Sequence, residues 1–212
     1  MLDIRNLDAS IGATSILRDI NIHIASQRMV GLIGRNGAGK TTLLRTIMGH
    51  VTGSGTIEFE GIDLITTEAY HRAELGIGYM PEDRKLVPEF SVTQNILLPT
   101  WTVEMSDADA RLAWIYELMP EIAKFSERKA LELSGGQQKL VALGRALMAG
   151  RKLLALDEPF EGLAPALARR LSEVMVDLKS EGVSMLISDS SEHHVGDLLD
   201  EKYIIERGSI LE

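Results

Sequence analysis

The sequence predicts an α/β core with an N-terminal antiparallel β layer and an inserted α-helical subdomain. Three observations lead to this prediction. A short apolar run at residues 29–33 precedes a glycine-rich turn and a helical pattern over residues 41–48, which is typical of a buried strand followed by a helix. Residues 19–25 alternate apolar and polar side chains, and residues 87–132 carry helix signals without a strand pattern. We therefore expect one domain over 1–212, with residues 1–86 and 133–212 forming the core and its β layer, and about 87–132 the helical subdomain.

Composition limits the possible function classes. The chain has 212 residues, of which 45% are hydrophobic and 25% charged, with a formal charge of −9. An acidic chain of this kind does not suit a nucleic-acid surface, which needs clustered lysine and arginine. There are no cysteines, so disulfides and thiolate metal sites are excluded. No apolar stretch approaches the roughly 20 residues of a membrane span, so we expect a cytoplasmic protein that meets membranes only through partners.

The predicted β layer comes first in the chain. Leu2, Ile4 and Leu7 begin one strand, residues 19–25 form a second, and residues 56–60 alternate as a third before Gly61. His23 falls on the polar face of its strand, and we interpret it as a solvated side chain because no cluster of metal-ligating residues lies near it in the sequence.

The glycine-rich turn fits the phosphate-binding loop pattern, in which two glycines five positions apart precede Lys and Ser/Thr. A strand that leads through such a turn into a helix directs backbone N–H groups and the helix dipole at one point. Lys40 is expected to neutralise the terminal phosphates of ATP, and the Thr41 hydroxyl to ligate Mg²⁺. The alternative is a plain strand-to-helix turn with a solvated Lys40. The predicted nucleotide-binding residues are Gly34, Arg35, Asn36, Gly37, Ala38, Gly39, Lys40, Thr41 and Thr42.

The middle of the chain contains helix signals. Residues 75–80 form a short apolar strand that Pro81 stops, and a charged loop follows at residues 82–85. Ser91 and Gln94 fit a capping box that opens a helix to about residue 98. Residues 106–109 open a second helix, which Pro120 is expected to kink or break. Trp101 and Trp114 lie in this segment, and we interpret them as core or interface residues.

Residues 133–137, Leu-Ser-Gly-Gly-Gln, precede a strong helix pattern. A hydroxyl and bare backbone N–H groups at a helix start form a second anion site, whereas the alternative is a simple helix cap with flexible glycines. The predicted nucleotide contacts of this turn are Ser134, Gly135, Gly136 and Gln137. An apolar strand at residues 152–156 then ends in Asp157 and Glu158. Asp157 is expected to hold Mg²⁺ through water, and Glu158 to polarise the attacking water.

Together, residues 34–42, 133–137 and 153–158 resemble the phosphate loop, signature sequence and acidic strand of the ATP-binding cassette family. This resemblance covers essentially the whole chain and implies a P-loop NTPase (RecA-like) core. Residues 76–84 and 157–165 are similar to those of ATPase subunits of bacterial importers of branched-chain, hydrophobic amino acids. The resemblance implies a head-to-tail dimer with a second cassette ATPase, either the same chain or another. It also implies transmembrane permease subunits docked near Glu82 and the helical insertion, at the inner face of the cell membrane.

Three positions depart from the family pattern. Ile11 stands where an aromatic side chain usually stacks on adenine, which leaves apolar contact only. Glu82 replaces a glutamine that ligates Mg²⁺, and its oxygens still suit the metal. Asp189 replaces the switch histidine, and an ionised carboxylate does not donate a hydrogen bond to the γ-phosphate and repels it. His193 and His194 follow a few residues later as possible substitutes. We therefore expect slow hydrolysis at this chain's own site, with Glu158, Glu82 and Asp189 as its catalytic positions.

Two other classes share parts of this pattern. A soluble cassette ATPase of DNA repair or translation typically has a long coiled-coil insertion or two cassettes, and neither is visible here. A P-loop kinase has no need for the residues 133–137. The final segment, residues 202–211, predicts a terminal hairpin through Arg207 and Gly208.

Overall fold

The computed structural model describes residues 1–192 and 195–211, and its strands form two sheets with helices packed on them. The strands are β1 (Leu2–Ile11), β2 (Thr14–Ile24), β3 (Met29–Ile33), β4 (Gly53–Phe59), β5 (Ile62–Asp63), β6 (Ile77–Met80), β7 (Leu153–Asp157), β8 (Ser184–Asp189), β9 (Glu201–Glu206) and β10 (Ser209–Leu211). The α-helices are α1 (Lys40–Ile47), α2 (His71–Glu74), α3 (Val92–Leu97), α4 (Ala108–Leu118), α5 (Pro120–Ala123), α6 (Gly135–Ala149) and α7 (Pro165–Ser180). Short 3-10 turns lie at Leu98–Trp101, Ala130–Glu132 and Gly196–Leu198.

The N-terminal β layer is an antiparallel sheet of order β2-β1-β4-β5. Ile4 pairs with Ile22 and with Ile57 across this sheet, and all three side chains are buried. The alternation seen in the sequence therefore marks the face that packs on the core, and the predicted antiparallel layer is confirmed. Ser184 joins the two sheets, since its Oγ accepts a hydrogen bond from the Gln27 N–H.

The second sheet has the order β10-β9-β3-β8-β7-β6 and is parallel except for the β9–β10 hairpin. Strands β3, β7 and β8 are buried along their whole length, as expected where helices or another sheet cover both faces. In the register of these strands Ile33 lies beside Asp189, and Asp157 beside Ser188. The carboxyl ends of β3, β7 and β8 therefore meet at one edge, which is where open α/β sheets bind ligands.

Residues 87–132 contain α3, α4 and α5 and, among the described residues, no strand of either sheet. The capping box at Ser91 is present, with the Gln94 N–H donating to Ser91 Oγ. The second helix begins within the predicted window of residues 106–109, and its N-cap residue is Asp107, whose carboxylate accepts two hydrogen bonds from Arg151. Pro120 starts the separate helix α5, so the predicted break is confirmed.

The two tryptophans of this segment differ in exposure. Trp114 is half-buried beneath the guanidinium of Arg111, 3.9 Å from its ring centroid. Trp101 is 62% exposed and contacts Phe90 edgewise, so of the two only Trp114 packs inward. No helix in the described part of the chain is long and apolar enough to cross a membrane.

The terminal hairpin forms as predicted, with Arg207 and Gly208 both at positive φ. Its turn contacts the glycine-rich loop after β3, because the Gly208 N–H donates to Ala38 O at 2.9 Å and the Arg18 N–H donates to Gly208 O at 2.7 Å. The last strands thereby fasten that loop to the N-terminal layer.

Helix α6 lies directly on β6, and Gly78 permits this contact. A Cβ at Gly78 would lie 2.1 Å from Ala146 O and 2.8 Å from Gly150 Cα. We expect Gly78→Ala to lower the free energy of unfolding by about 1–3 kcal/mol, because helix and strand must separate. Urea denaturation measures this change.

Gly196→Ala is the matched control, since a Cβ there meets its nearest neighbour at 3.7 Å. Its stability should stay unchanged or rise slightly through the unfolded chain. Equal stability of the two variants would contradict the close packing of α6 on β6.

Candidate functional site

The predicted phosphate loop connects β3 to α1 at the edge where the strands of the parallel sheet end. The Gly34 N–H donates to Asp189 O at 3.1 Å, which ties the start of the loop to β8. Gly37 and Gly39 have φ of +81° and +114°, values that glycine adopts without a Cβ penalty. The loop lines a cleft of about 350 Å³ together with Ile16, Glu82 and Glu158. The start of α1 therefore faces an open cavity of a size that admits phosphate groups.

Lys40 is held inside this loop. Its Nζ donates to Gly34 O at 2.5 Å and forms an ion pair with Glu158 Oε1 at 2.9 Å. Both side chains are buried, at 4% and 8% exposure. Each charge therefore compensates the other in a poorly solvated place, where an unpaired charge is costly. An anion that enters the loop competes directly with Glu158 for the lysine.

Asp157 directly precedes Glu158 and is the last residue of β7. Its Oδ1 accepts a hydrogen bond from Ser188 at 2.6 Å. Its Oδ2 is, among the described residues, a buried side-chain oxygen without a hydrogen-bond partner. Burial raises the pKa of Asp157, and the hydroxyls of Ser188 and Thr41 oppose that rise by hydrogen bonding. A buried carboxylate oxygen without a hydrogen-bond partner lowers the stability of the fold, and a ligand that contacts this oxygen can remove the penalty.

Glu82 stands at the junction of the clefts. It lines the phosphate-loop cleft, a larger cleft of about 660 Å³ that also includes Thr41 and Asp157, and a third beside α6. Burial raises the pKa of Glu82, and the charges of Glu161, Asp157 and Glu158 raise it further. Negative charge is therefore concentrated beside the phosphate loop.

These oxygens fit a hard divalent cation. Asp157 supplies a buried and unsatisfied oxygen, and Thr41 and Glu82 line the same cleft with a hydroxyl and a second carboxylate. Within the described residues no three acidic or histidine side chains form a preformed metal cage. This sparse donor set suits Mg²⁺, which keeps several water ligands and takes others from phosphate oxygens.

The Ser134 turn forms the start of α6 as a capping box. The Gln137 N–H donates to Ser134 Oγ at 3.3 Å, and the Ser134 N–H donates to Gln137 Oε1 at 2.9 Å. The simple cap considered for this sequence is thus present, yet Ser134 and Gly135 remain exposed. Gly135 lines the third cleft, of about 380 Å³, with Glu82, Asp83, Arg84, Lys139, Glu161, Gly162 and Leu163. Within one chain the Ser134 turn and the phosphate loop therefore line different clefts.

Two further predicted positions are Ile11 and Asp189. Ile11 is 51% exposed at the tip of the β1–β2 hairpin, and Ile16, not Ile11, lines the phosphate-loop cleft. The β1–β2 register shifts three times between Ile4 and Ser10, so the alternation of the first half does not predict which side chains face the cleft at the tip. Asp189 is 4% exposed, and its Oδ1 accepts the Ser191 N–H at 2.9 Å. His193 and His194 lie outside the described residues.

Three residues near the site did not emerge from the sequence. Ile16 offers apolar surface to the cleft. Arg84 approaches the Ser134 turn, with its Nη1 3.2 Å from the position a Cβ would take on Gly135. Lys139 is 7% exposed and donates to Glu158 O at 2.7 Å. The one available signal was Lys139 itself, a lysine on an otherwise apolar stretch of helix.

Comparisons with known proteins identify the class that this fold and site define. The family model for the ABC transporter matches residues 17–161. The branched-chain amino acid transport ATP-binding protein BraG of Pseudomonas aeruginosa is 32% identical over 100% of this chain and 91% of its own. The lipopolysaccharide export ATP-binding protein LptB of Haemophilus influenzae is 30% identical over 100% and 89%. A crystal structure of an ABC-transporter cassette in its ADP conformation superposes with a TM-score of 0.87 at 29% identity, covering 100% of this chain and 89% of that one.

The chain belongs to the ABC transporter family, as an ATPase of the P-loop type. The resemblance drawn from the motifs and the predicted fold class are both confirmed. The roles given to individual site residues remain predictions that the geometry above makes specific.

The unsatisfied oxygen of Asp157 gives a test of the metal site. Because burial raises the pKa of Asp157 above 3.8, the folded chain binds this proton more tightly than the unfolded chain does. The fold therefore loses stability as the pH rises from 3.8 through the pKa of the folded state, and the loss is constant at higher pH. We expect Asp157→Asn to stabilise the nucleotide-free chain at neutral pH by about 1 kcal/mol, and to abolish the tightening of ATP binding by Mg²⁺.

Thermal melts of the free chain at pH 4 and pH 7 and ATP titrations with and without Mg²⁺ measure these effects. Asp177→Asn is the control, as an exposed carboxylate on α7. A variant Asp157→Asn that keeps the Mg²⁺ dependence of ATP binding would refute the assignment.

Proposed function

We propose that this chain binds Mg·ATP in the loop of residues 34–42 and hydrolyses it to energise a membrane importer of branched-chain or other hydrophobic amino acids. The observation that carries the nucleotide site is the convergence of Lys40, Asp157 and Glu158, all buried, where β3 and β7 end. The similarity to BraG over the full chain supports the substrate class. The similarity to LptB makes lipid export the competing assignment.

The charge of each side chain determines its proposed role in ATP binding and hydrolysis. Lys40 turns from Glu158 to the terminal phosphates, because an anion in the loop offers it a stronger partner than one carboxylate. Glu158, released from the lysine, then accepts a hydrogen bond from a water molecule and makes it a better nucleophile. Thr41, Asp157 and Glu82 would hold Mg²⁺, which supplies charge neutralisation on the phosphates. Ile16, which lines the cleft, offers only apolar contact to the base.

We further propose that the working unit is a head-to-tail pair of cassettes, either two copies or this chain with a second ATPase, held at the inner face of the membrane by permease subunits. The two nucleotide-binding turns of one chain line separate clefts, so one phosphate loop needs the Ser134 turn of another molecule to cover it. Copurification with a permease, followed by ATPase assays in proteoliposomes with leucine-loaded binding protein or with lipopolysaccharide, separates amino-acid import from lipid export.

The chain contains a matched pair of caps that tests the role of the Ser134 turn. Ser91 and Ser134 form the same capping box at the starts of α3 and α6. Each Ser→Ala substitution should cost about 1 kcal/mol of folding stability. Only Ser134→Ala should weaken ATP-induced dimerisation, by at least tenfold, when measured by analytical ultracentrifugation of a hydrolysis-deficient Glu158→Gln background. Equal dimerisation of the two variants would contradict the composite site.

Asp189 gives a test of slow hydrolysis. Its buried carboxylate lies at the end of β8 beside Ile33, the last residue before the phosphate loop. A negative charge there repels the γ-phosphate and offers no proton to it. We expect Asp189→His to raise kcat at least fivefold, measured by phosphate release at saturating Mg·ATP.

Asp197→His, at an exposed position of the Gly196–Leu198 turn, should leave kcat unchanged. If the unaltered chain hydrolyses ATP rapidly and Asp189→Ala leaves that rate unchanged, the hypothesis of a slow site is refuted.

A further inference from the structure

Helix α6 contacts the loops that carry both Glu158 and Glu82, through two cationic side chains on its inner face. It begins at the Ser134 cap, and most of its residues are buried between the parallel sheet and the helices α3 and α4. Such a helix has little freedom to move independently of its surroundings. Two cations of α6 donate hydrogen bonds to the acidic loops, which we define as residues 82–85 and residues 158–161. These cations are Lys139 and Arg145.

Lys139 holds the residue after Asp157. Its ammonium donates to Glu158 O at 2.7 Å from a position that is 7% exposed. Glu158 has a φ of +47°, in the left-handed region that a residue with a Cβ adopts only when its surroundings impose it. On its other side, the Glu158 N–H donates to Ser188 Oγ at 3.0 Å. The backbone of Glu158 is thus fixed from both α6 and β8.

Arg145 holds the loop after Glu82 in the same manner. Its guanidinium donates to Arg84 O at 2.5 Å and to Lys85 O at 2.6 Å. Arg84 and Lys85 have φ of +64° and +47°, so two successive residues with side chains occupy the left-handed region. A planar guanidinium with fixed donor directions is well suited to donate hydrogen bonds to this pair of carbonyl oxygens.

We propose that Lys139 and Arg145 are positioning residues, which hold Glu158 and Glu82 in the geometry needed for hydrolysis by fixing left-handed backbone beside each acid. This inference rests on the proposed roles of Glu158 as the water-polarising group and Glu82 as a metal ligand. Because α6 starts at the Ser134 turn, a movement of that turn is transmitted through the same helix to both acids. The turn that covers a neighbour's nucleotide is thereby linked to this chain's own site.

Two remote contacts supply controls with the same chemistry. Arg111 also donates to backbone carbonyls of α6 and its cap, with Nη2 2.9 Å from Leu147 O and 3.4 Å from Gly150 O. Lys179 forms an ion pair with Asp200, with 2.6 Å between Nζ and Oδ1. Neither residue belongs to the loops that carry Glu82 and Glu158. Arg111→Met and Lys179→Met therefore remove comparable interactions without touching the loops of Glu82 and Glu158.

The experiment compares Lys139→Met and Arg145→Met with these controls in the full chain. We expect amide hydrogen exchange to quicken at least tenfold over residues 83–86 in Arg145→Met and over residues 158–161 in Lys139→Met, but in neither segment of the controls. ATP affinity in EDTA should stay within twofold, whereas kcat at saturating Mg·ATP should fall at least tenfold. Arg145→Lys keeps the positive charge on a single donor nitrogen. Its exchange rate and its kcat should therefore lie between those of the unaltered chain and those of Arg145→Met. If Lys139→Met does not fold, Lys139→Gln, which loses the charge but keeps an amide donor, should give smaller changes in the same direction.

Unchanged exchange of both loops in the two variants would overturn the inference whatever the activity. Quickened exchange with an unchanged kcat would equally overturn it, since the fixed backbone would then have no bearing on hydrolysis. Failure of the unaltered chain to bind Mg·ATP would instead refute the proposed nucleotide site, and the exchange data would still decide whether Lys139 and Arg145 fix these loops.

Discussion

The ion pair between Lys40 and Glu158 is the interaction on which the organisation of this edge of the sheet depends. It joins the first residue of α1 to the residue after β7, and both charges are almost fully removed from water. A buried pair of this kind is costly to break by removal of one partner, because the other charge is then left alone. The charge of Lys40 at this edge of the sheet is therefore balanced by Glu158 of the same chain.

Around this pair the protein places more acid than base. Asp157, Glu158 and Asp189 are all buried at neighbouring strand ends, and Glu82 approaches them from the loop after β6. Backbone dipoles and Lys139 offset part of this charge, and a divalent cation with a phosphate chain would complete the balance. Several contacts around these acids run to backbone atoms, as in the hydrogen bonds from Lys139 to Glu158 O and from Arg145 to Arg84 O.

Local sequence signals predicted the elements but not their long-range contacts. The apolar run at residues 29–33 matches β3 residue for residue, and the caps at Ser91 and Ser134 form as their patterns indicate. The N-cap residue of α4, Asp107, is also held by Arg151, 44 residues away in sequence, and no local pattern shows this contact. The hydrogen bond from the Arg145 guanidinium to Arg84 O joins residues 61 positions apart, and it produces no periodic pattern in the sequence. Likewise no pattern within β2 marks Ile16 as a residue that lines the phosphate-loop cleft, and no single-strand pattern encodes the shifts of register between β1 and β2.

The fastening of Ala38 by Gly208 has a consequence for how the protein is made. The two residues are far apart in the chain, so the loop leaves the ribosome long before its anchoring turn does. Loop closure over such a span is slow relative to local helix formation. A nascent chain therefore carries the loop after β3 unfastened until the turn at Gly208 has emerged.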